Sequence, residues 1–168
     1  METSDYPGIG ESEEIVDSKF VTLEETIIIF PGTISLPTVL PDGFNLESEV
    51  ELVNFPGGLS MAALKWLKSS PDGERSGMSL SIFYIADNVV KDNITVVVGD
   101  EAIEEINING KPAALLRGGW NYDTKSYDPG IPNLGVRWEY DERTIYELNG
   151  SDEAIEPEVL IRIAESIK

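Results

Sequence analysis

Residues 103–148 constrain the fold most, because they form a succession of short apolar segments separated by turn residues. Apolar side chains alternate up to Ile108, the pair Asn109-Gly110 follows, and a second apolar run begins after it. An Asn-Gly pair between two such runs is the strongest local signal for a β-hairpin. Residues 136–140 and 145–148 predict a second strand pair, joined by a turn at 141–143. This half of the chain therefore predicts antiparallel sheet.

Four earlier segments extend this pattern. Residues 46–53 predict a strand with Val50 and Leu52 on one face and Glu49 and Glu51 on the other. Residues 78–86 begin with alternation and end apolar on both faces, as in a central strand covered on both sides. Residues 94–98 are β-branched and predict another strand. Residues 61–67 fit either a helix or a strand.

Helices are predicted near both ends of the chain. Thr22 and Glu25 have the spacing of a capping box, which predicts a helix over residues 23–29. The β-branched run Ile27-Ile28-Ile29 leaves a strand open as an alternative there. Residues 36–44 contain two prolines and predict a rigid connector ending in a turn. A C-terminal helix is predicted from Pro157, with apolar residues at helical spacing.

A chain of 168 residues suits one self-sufficient core. We therefore predict an α+β fold: a curved antiparallel sheet of about six to nine strands, with a short N-terminal helix and a C-terminal helix packed on one face. Residues 20–168 are expected to form the single domain. Residues 1–19 are acidic, resemble no signal peptide or membrane span, and are expected to form a flexible tail.

The charge balance excludes some partners. Twelve Lys and Arg residues face 31 Asp and Glu residues, a formal net charge of −19. Nucleic acids and anionic membrane surfaces both require cationic side chains for binding. We therefore expect neither nucleic acid binding nor direct binding to an anionic membrane surface.

The absence of cysteine and histidine limits the chemistry further. The chain has no residue of either type, which removes disulfides, thiolate nucleophiles, Ser-His-Asp triads and His-ligated zinc. Carboxylate, lysine or tyrosine chemistry and oxygen-ligated metals remain. The lack of cysteine leaves the cellular compartment open. We predict no catalytic residues and no cofactor, and hence a non-enzymatic protein.

Two groups of oxygen-bearing side chains are candidate sites for a metal or for acid catalysis. Four oxygen-bearing side chains in one short loop would suit calcium, but they match no EF-hand and are also ordinary turn residues. They are Asp87, Asn88, Asp92 and Asn93. We predict no metal site. Glu139 and Glu147 would serve a carboxylate-dependent hydrolase only if buried at a defined separation.

Aromatic residues are the candidates for ligand or partner binding. The loop of residues 118–135 contains Trp120, Tyr122 and Tyr127, which could form a recognition surface or fold back over the sheet edge. Trp138 and Tyr140 lie two residues apart and therefore on one face of a strand, where they would form core or the wall of a groove.

Four short motifs resemble the domain of unknown function 4367 family, and they occur in the family's order. They are FVTLEE at residues 20–25, LPTVLPDGF at 36–44, NGKPA at 109–113 and LIRIAESI at 160–167. Trp138 lies where the family has a strand tryptophan. The resemblance spans residues 20–168.

The resemblance implies an extracytoplasmic domain of a bacterial envelope protein, in a family with links to anti-sigma factors and lipoproteins. It also implies that a membrane-anchoring segment precedes Met1 in the full-length protein, whereas the residues alone equally allow a cytosolic chain. The expected function is a sensor or protein-interaction domain that binds an envelope protein or an apolar ligand. The alternative is a carrier of a lipid or lipoprotein acyl chain, because lipoprotein-carrier half-barrels are similar in architecture. A hydrolase is the third class.

Overall fold

The computed structural model describes residues 17–69, 71–73, 75–86, 102–150 and 155–168. The strand predicted at residues 94–98 lies outside these ranges, as do residues 1–16 of the predicted tail. The first described strand begins at Asp17 and so includes the last three residues assigned to that tail. The single-domain prediction for residues 20–168 stays a prediction.

The described residues form eleven strands and two helices. The helices are α1 (Leu23–Ile29) and α2 (Pro157–Glu165). The strands are β1 (Asp17–Val21), β2 (Asn45–Leu46), β3 (Val50–Phe55), β4 (Leu59–Ser69), β5 (Arg75–Ile85), β6 (Ile103–Ile108), β7 (Lys111–Arg117), β8 (Gly119–Asn121), β9 (Ser126–Asp128), β10 (Leu134–Asp141) and β11 (Thr144–Gly150).

Nine of the described strands form one antiparallel sheet. Its order is β1-β3-β4-β5-β11-β10-β7-β6, and β2 pairs with β4 beside this path. β8 and β9 form a separate two-stranded sheet. The predicted α+β fold is confirmed, and the number of strands in the main sheet is at the upper end of the predicted range.

Two local predictions are confirmed in detail. Asn109 and Gly110 join β6 to β7 with φ angles of 52° and 84°, the left-handed geometry of a tight hairpin turn. In α1 the Thr22 side chain accepts from the Glu25 amide while the Glu25 carboxylate accepts from the Thr22 amide. Residues 23–29 are therefore a helix and not the strand that the isoleucine run left open.

The strand predicted over residues 46–53 is confirmed over 50–53, with Val50 and Leu52 on the buried face, but it is not continuous: β2 ends at Leu46 and β3 begins at Val50. Leu46 pairs with Trp66 of β4 and Glu51 pairs with Ala63, so the β2–β3 side contains two extra residues between these pairs. Such an insertion is a bulge, which no alternation pattern reveals. Residues 61–67, left open between helix and strand, lie in β4.

The predicted loop at residues 118–135 also contains regular structure. β8 and β9 pair antiparallel within it, with Trp120 opposite Tyr127. Both strands have three residues, too short for a clear alternation.

The core lies between the helices and one face of the sheet, called here the covered face. Its fully buried residues occupy alternate positions along each strand. Leu64 of β4, Leu80 of β5 and Leu148 of β11 are examples. Leu160 and Ile163 of α2 belong to the same cluster. The C-terminal helix predicted from Pro157 is therefore confirmed, and it packs on this face of the sheet.

The segment between α1 and β2, residues 30–44, is called here the connector. Two buried hydroxyl groups bind it to the sheet and to the C-terminal end of the chain. The Tyr146 hydroxyl donates to the Thr33 carbonyl at 2.6 Å and accepts from the Ser35 amide at 3.0 Å. The Ser166 hydroxyl accepts from the Thr38 amide at 3.1 Å. Tyr146 and Ser166 lie more than 100 residues away from the connector along the chain, so these hydrogen bonds form only when the chain folds.

Candidate functional site

The predicted aromatic site begins with the β8–β9 hairpin. Trp120 and Tyr127 are partners in its register, and Tyr122 in the turn is 59% exposed. The Tyr127 hydroxyl is buried and has no hydrogen-bond partner among the described residues, and burial raises the pKa of this phenol. A Cβ on Gly118 would lie 2.7 Å from that hydroxyl oxygen. Tyr127 is thus packed against the backbone at the hairpin's base, and Tyr122 is freely accessible.

Trp138 and Tyr140 lie on the covered face of β10. Trp138 is only 3% exposed and its ring lies 5.6 Å from that of Tyr146. Tyr140 stacks on Tyr146 with ring centroids 4.4 Å apart. The Lys111 ammonium lies 5.3 Å from the Tyr140 ring centroid. Trp138 is therefore a core residue, and Tyr140 closes the edge of the same aromatic cluster.

These five aromatic residues do not form one site. The hairpin meets β10 at its first residues, where the Gly118 amide donates to the Asn133 carbonyl. Tyr140 lies six residues further along β10 than Leu134. At about 3.3 Å per residue, Trp138 and Tyr140 therefore lie roughly 13 and 20 Å along β10 from the end at which the hairpin meets it.

Within the described ranges, no two carboxylates form the buried acid pair that a hydrolase would need. The buried polar side chains of the described residues are Thr26, Thr144 and Ser166, none of them acidic. Glu139 is exposed, and Glu147 forms an ion pair with Arg137 at 3.4 Å. The described part of the chain contains no cluster of three potential metal ligands, and residues 87–93, with their four oxygen-bearing side chains, lie outside it.

The space between the sheet and α2 is filled by side chains. Leu160, Ile163, Ala164 and Ile167 are all at most 1% exposed there. Three cavities lined by described residues have volumes of about 110, 160 and 370 Å³, and none of the three is lined by α2. An acyl-chain carrier would need an apolar cavity at this place. The carrier alternative therefore gains no support from the packing of α2.

An exposed apolar surface on α1 is a feature that the sequence reasoning missed. Ile27, Ile28 and Ile29 are 59, 80 and 47% exposed, and we call them the isoleucine patch. The helix turns Thr26 inward, and Phe30, its C-cap, is buried as well. Three consecutive residues cover more than half of a helix circumference, so a surface helix cannot bury them all. Once the Ile-Ile-Ile run is assigned to a surface helix, the sequence alone therefore predicts an exposed isoleucine.

A groove of about 110 Å³ adjoins the isoleucine patch. Its lining residues are Ile29 of α1 and the C-cap Phe30, together with Lys19 of β1, Leu52 of β3 and Met61 of β4. The patch and this groove together form a ridge beside a depression, a shape that suits the docking of another protein.

A polar row crosses the other face of the sheet, called here the far face. Lys65 lies opposite Ser79, Ser79 opposite Asn149, and Asn149 opposite Gly135, so four strands contribute one residue each. In the neighbouring row the Glu147 carboxylate accepts from the Asn149 amide at 3.0 Å. The sequence analysis considered Glu147 only as a possible acid and missed its partners, of which Asn149 lies two residues further along β11 and Arg137 comes from β10.

Among the described residues neither helix has the length and apolarity of a membrane-spanning segment. Comparison with known proteins found no matching family model, no matching curated protein and no matching solved structure. The resemblance to the domain of unknown function 4367 family, with Trp138 at its strand tryptophan, thus stays a prediction from short motifs.

Proposed function

We propose that this chain is a non-enzymatic protein-interaction domain that docks a partner protein through the isoleucine patch and the adjoining groove. The observation that supports the proposal is the exposure of three consecutive isoleucines on a capped helix. Large contiguous apolar surface on a soluble domain marks an interaction site more often than an accident of packing. Burying the exposed parts of these three side chains in an interface would contribute on the order of 4 kcal/mol to binding, before the entropy lost on association is subtracted.

The charges around the patch define the partner's chemistry. Glu24 and Glu25 occupy the first turn of α1, and the chain has a net charge of −19. The negative electrostatic potential of these charges would attract a partner that has an apolar pocket with a rim of lysine and arginine. It would raise both the association rate and the specificity of binding. A second copy of the same chain would be repelled by it. We therefore propose a basic partner protein.

We also propose that the domain works outside the cytoplasm, as part of a bacterial envelope protein with a sensing role. The support is the motif resemblance over residues 20–168, whose family has extracytoplasmic members. A reporter enzyme that is active only outside the cytoplasm, fused to the full-length protein, tests this location. Activity limited to a cytoplasmic reporter would contradict it.

Site-specific crosslinking tests the docking surface. A photoreactive amino acid is placed at Ile28 in source cells, and in a matched experiment at Tyr122, which is also exposed but lies on the β8–β9 hairpin. The expected result is one discrete adduct from Ile28 that Tyr122 does not give. The captured protein is then purified, and Ile28→Ser should weaken its binding about tenfold or more, since about 1.4 kcal/mol of apolar burial is lost.

Three outcomes would contradict the proposal. Identical adducts from both positions would indicate non-specific capture. A crosslinked dimer of the chain itself, with an Ile28-dependent dimer in light scattering, would make the patch a self-association surface. A lipid adduct at Ile28 would assign the patch to an apolar ligand.

A further inference from the structure

A small trough lies on the far face of the sheet, separate from the isoleucine patch. Its volume is about 160 Å³, and its lining includes Lys65, Leu67, Gly77, Ser79, Asn133 and Asn149. The register explains the trough, because Leu67 lies opposite Gly77 and Lys65 opposite Ser79. Glycine and serine on β5 leave room between the longer side chains of β4 and the two asparagines.

One wall of the trough is held in a fixed orientation. The Asn149 side-chain amide donates to the Glu147 carboxylate at 3.0 Å, and Arg137 donates to the same carboxylate at 3.4 Å. The side chains of Arg137 and Glu147 are only 16 and 17% exposed. A Cβ at Gly135 would lie 2.6 Å from the Asn149 carboxamide oxygen, so the amide lies over β10 only because residue 135 is glycine.

The electrostatics of the trough favour an anion. Glu147, the carboxylate next to Asn149, is paired with Arg137 at 3.4 Å, so its charge is balanced locally. The ion pairs recorded among the described residues, Arg137–Glu147 and Arg117–Glu104, do not include Lys65. Lys65 is exposed and lines the trough opposite Ser79 in the register, and both side chains can donate hydrogen bonds.

We propose that this trough binds a compact organic carboxylate. Its carboxylate would accept hydrogen bonds from Lys65 and Ser79, while its apolar part would lie against Leu67. A cavity of about 150 Å³ accommodates a molecule the size of benzene, so the ligand has about six to ten heavy atoms. A charge-assisted hydrogen bond to lysine is stronger than a neutral one, which makes Lys65 the main determinant of affinity. The site does not depend on the proposed protein partner.

Benzoate is the probe, and its neutral isostere benzamide is the comparison. Both are titrated into the full chain while backbone amide resonances are followed by NMR. We expect saturable shifts at Ser79 and Asn149, and binding of benzamide about tenfold weaker or more. Lys65→Gln should weaken benzoate binding by a similar factor.

The matched control is Lys68→Gln. Lys68 is on the same strand, but its ammonium lies 5.9 Å from the Phe44 ring, on the covered side. It changes the net charge equally and should leave benzoate binding unchanged. Equal weakening by the two variants would show a general charge effect and overturn the site. Equal affinity for benzoate and benzamide would overturn the carboxylate assignment. Chemical shifts that never saturate would show that the trough has no specific site for this ligand.

Discussion

The Tyr146 hydroxyl fastens the connector after α1 to the sheet, and its removal gives a sharp test of this fold. Tyr146 lies in β11 and is fully buried. Its hydroxyl makes hydrogen bonds to the Thr33 carbonyl and the Ser35 amide. Tyr146→Phe removes both bonds and keeps the ring, which stacks on Tyr140 at 4.4 Å.

The expected loss of stability follows from these two bonds. A typical intramolecular hydrogen bond contributes about 0.5–1.5 kcal/mol net, so the free energy of unfolding should fall by about 2 kcal/mol. Thr33 is exposed and Ser35 half-buried, so water can reach the freed groups and limits the loss to this range. For a chain of this size the Tm should fall by about 4–8 °C.

Urea unfolding followed by tryptophan fluorescence measures the change, with Tyr140→Phe as the control. The Tyr140 ring belongs to the same stack, and its hydroxyl has no recorded hydrogen bond to any described residue. We expect the control to change the free energy of unfolding by less than about 0.5 kcal/mol. If Tyr146→Phe costs no more than Tyr140→Phe, the connector is held by other contacts and the reasoning is refuted.

Three further predictions concern stability. Burial raises the pKa of Tyr146 above the ordinary tyrosine value, so its contribution is complete below about pH 10 and is lost as the pH rises further. The difference in unfolding free energy between wild type and Tyr146→Phe should therefore shrink by about 1.4 kcal/mol between pH 9 and 11, and a constant difference in urea titrations would contradict the burial. Gly110→Ala should cost about 1–2 kcal/mol in the same assay, because φ is 84° there, while an unchanged midpoint would mean that the turn relaxes. Leu160→Ala should cost about 3 kcal/mol by calorimetry, since Leu160 is fully buried in the core cluster, and a loss near zero would show that α2 does not seal the core.

Several elements were predictable because their signals are local. The Asn109-Gly110 turn depends on two residues that tolerate positive φ, and both adopt it. The start of α1 depends on hydrogen bonds between Thr22 and Glu25, three residues apart. Pro157 at the start of α2 suits a position whose amide has no helical partner. These features need only a few neighbouring residues, so the sequence displays them directly.

The relative position of the two groups of candidate aromatic residues depends on contacts between distant segments, which local sequence signals do not show. Trp120, Tyr122 and Tyr127 are on a hairpin, while Trp138 and Tyr140 are on the covered face of β10. Adjacency of aromatics along the chain therefore did not mean adjacency in space. The isoleucine patch had a local signal, but its exposure depends on which side of α1 meets the sheet.

By itself the sequence determined the class of fold, the position of both helices, the main hairpins and the strongly acidic charge. Only the tertiary structure decided which side chains meet. The row of Lys65, Ser79, Asn149 and Gly135 draws on four strands. A shift of one residue in any strand register would send its side chain to the other face. Register is set by packing of the whole sheet and by the bulge before β3, and no short segment of sequence contains that information.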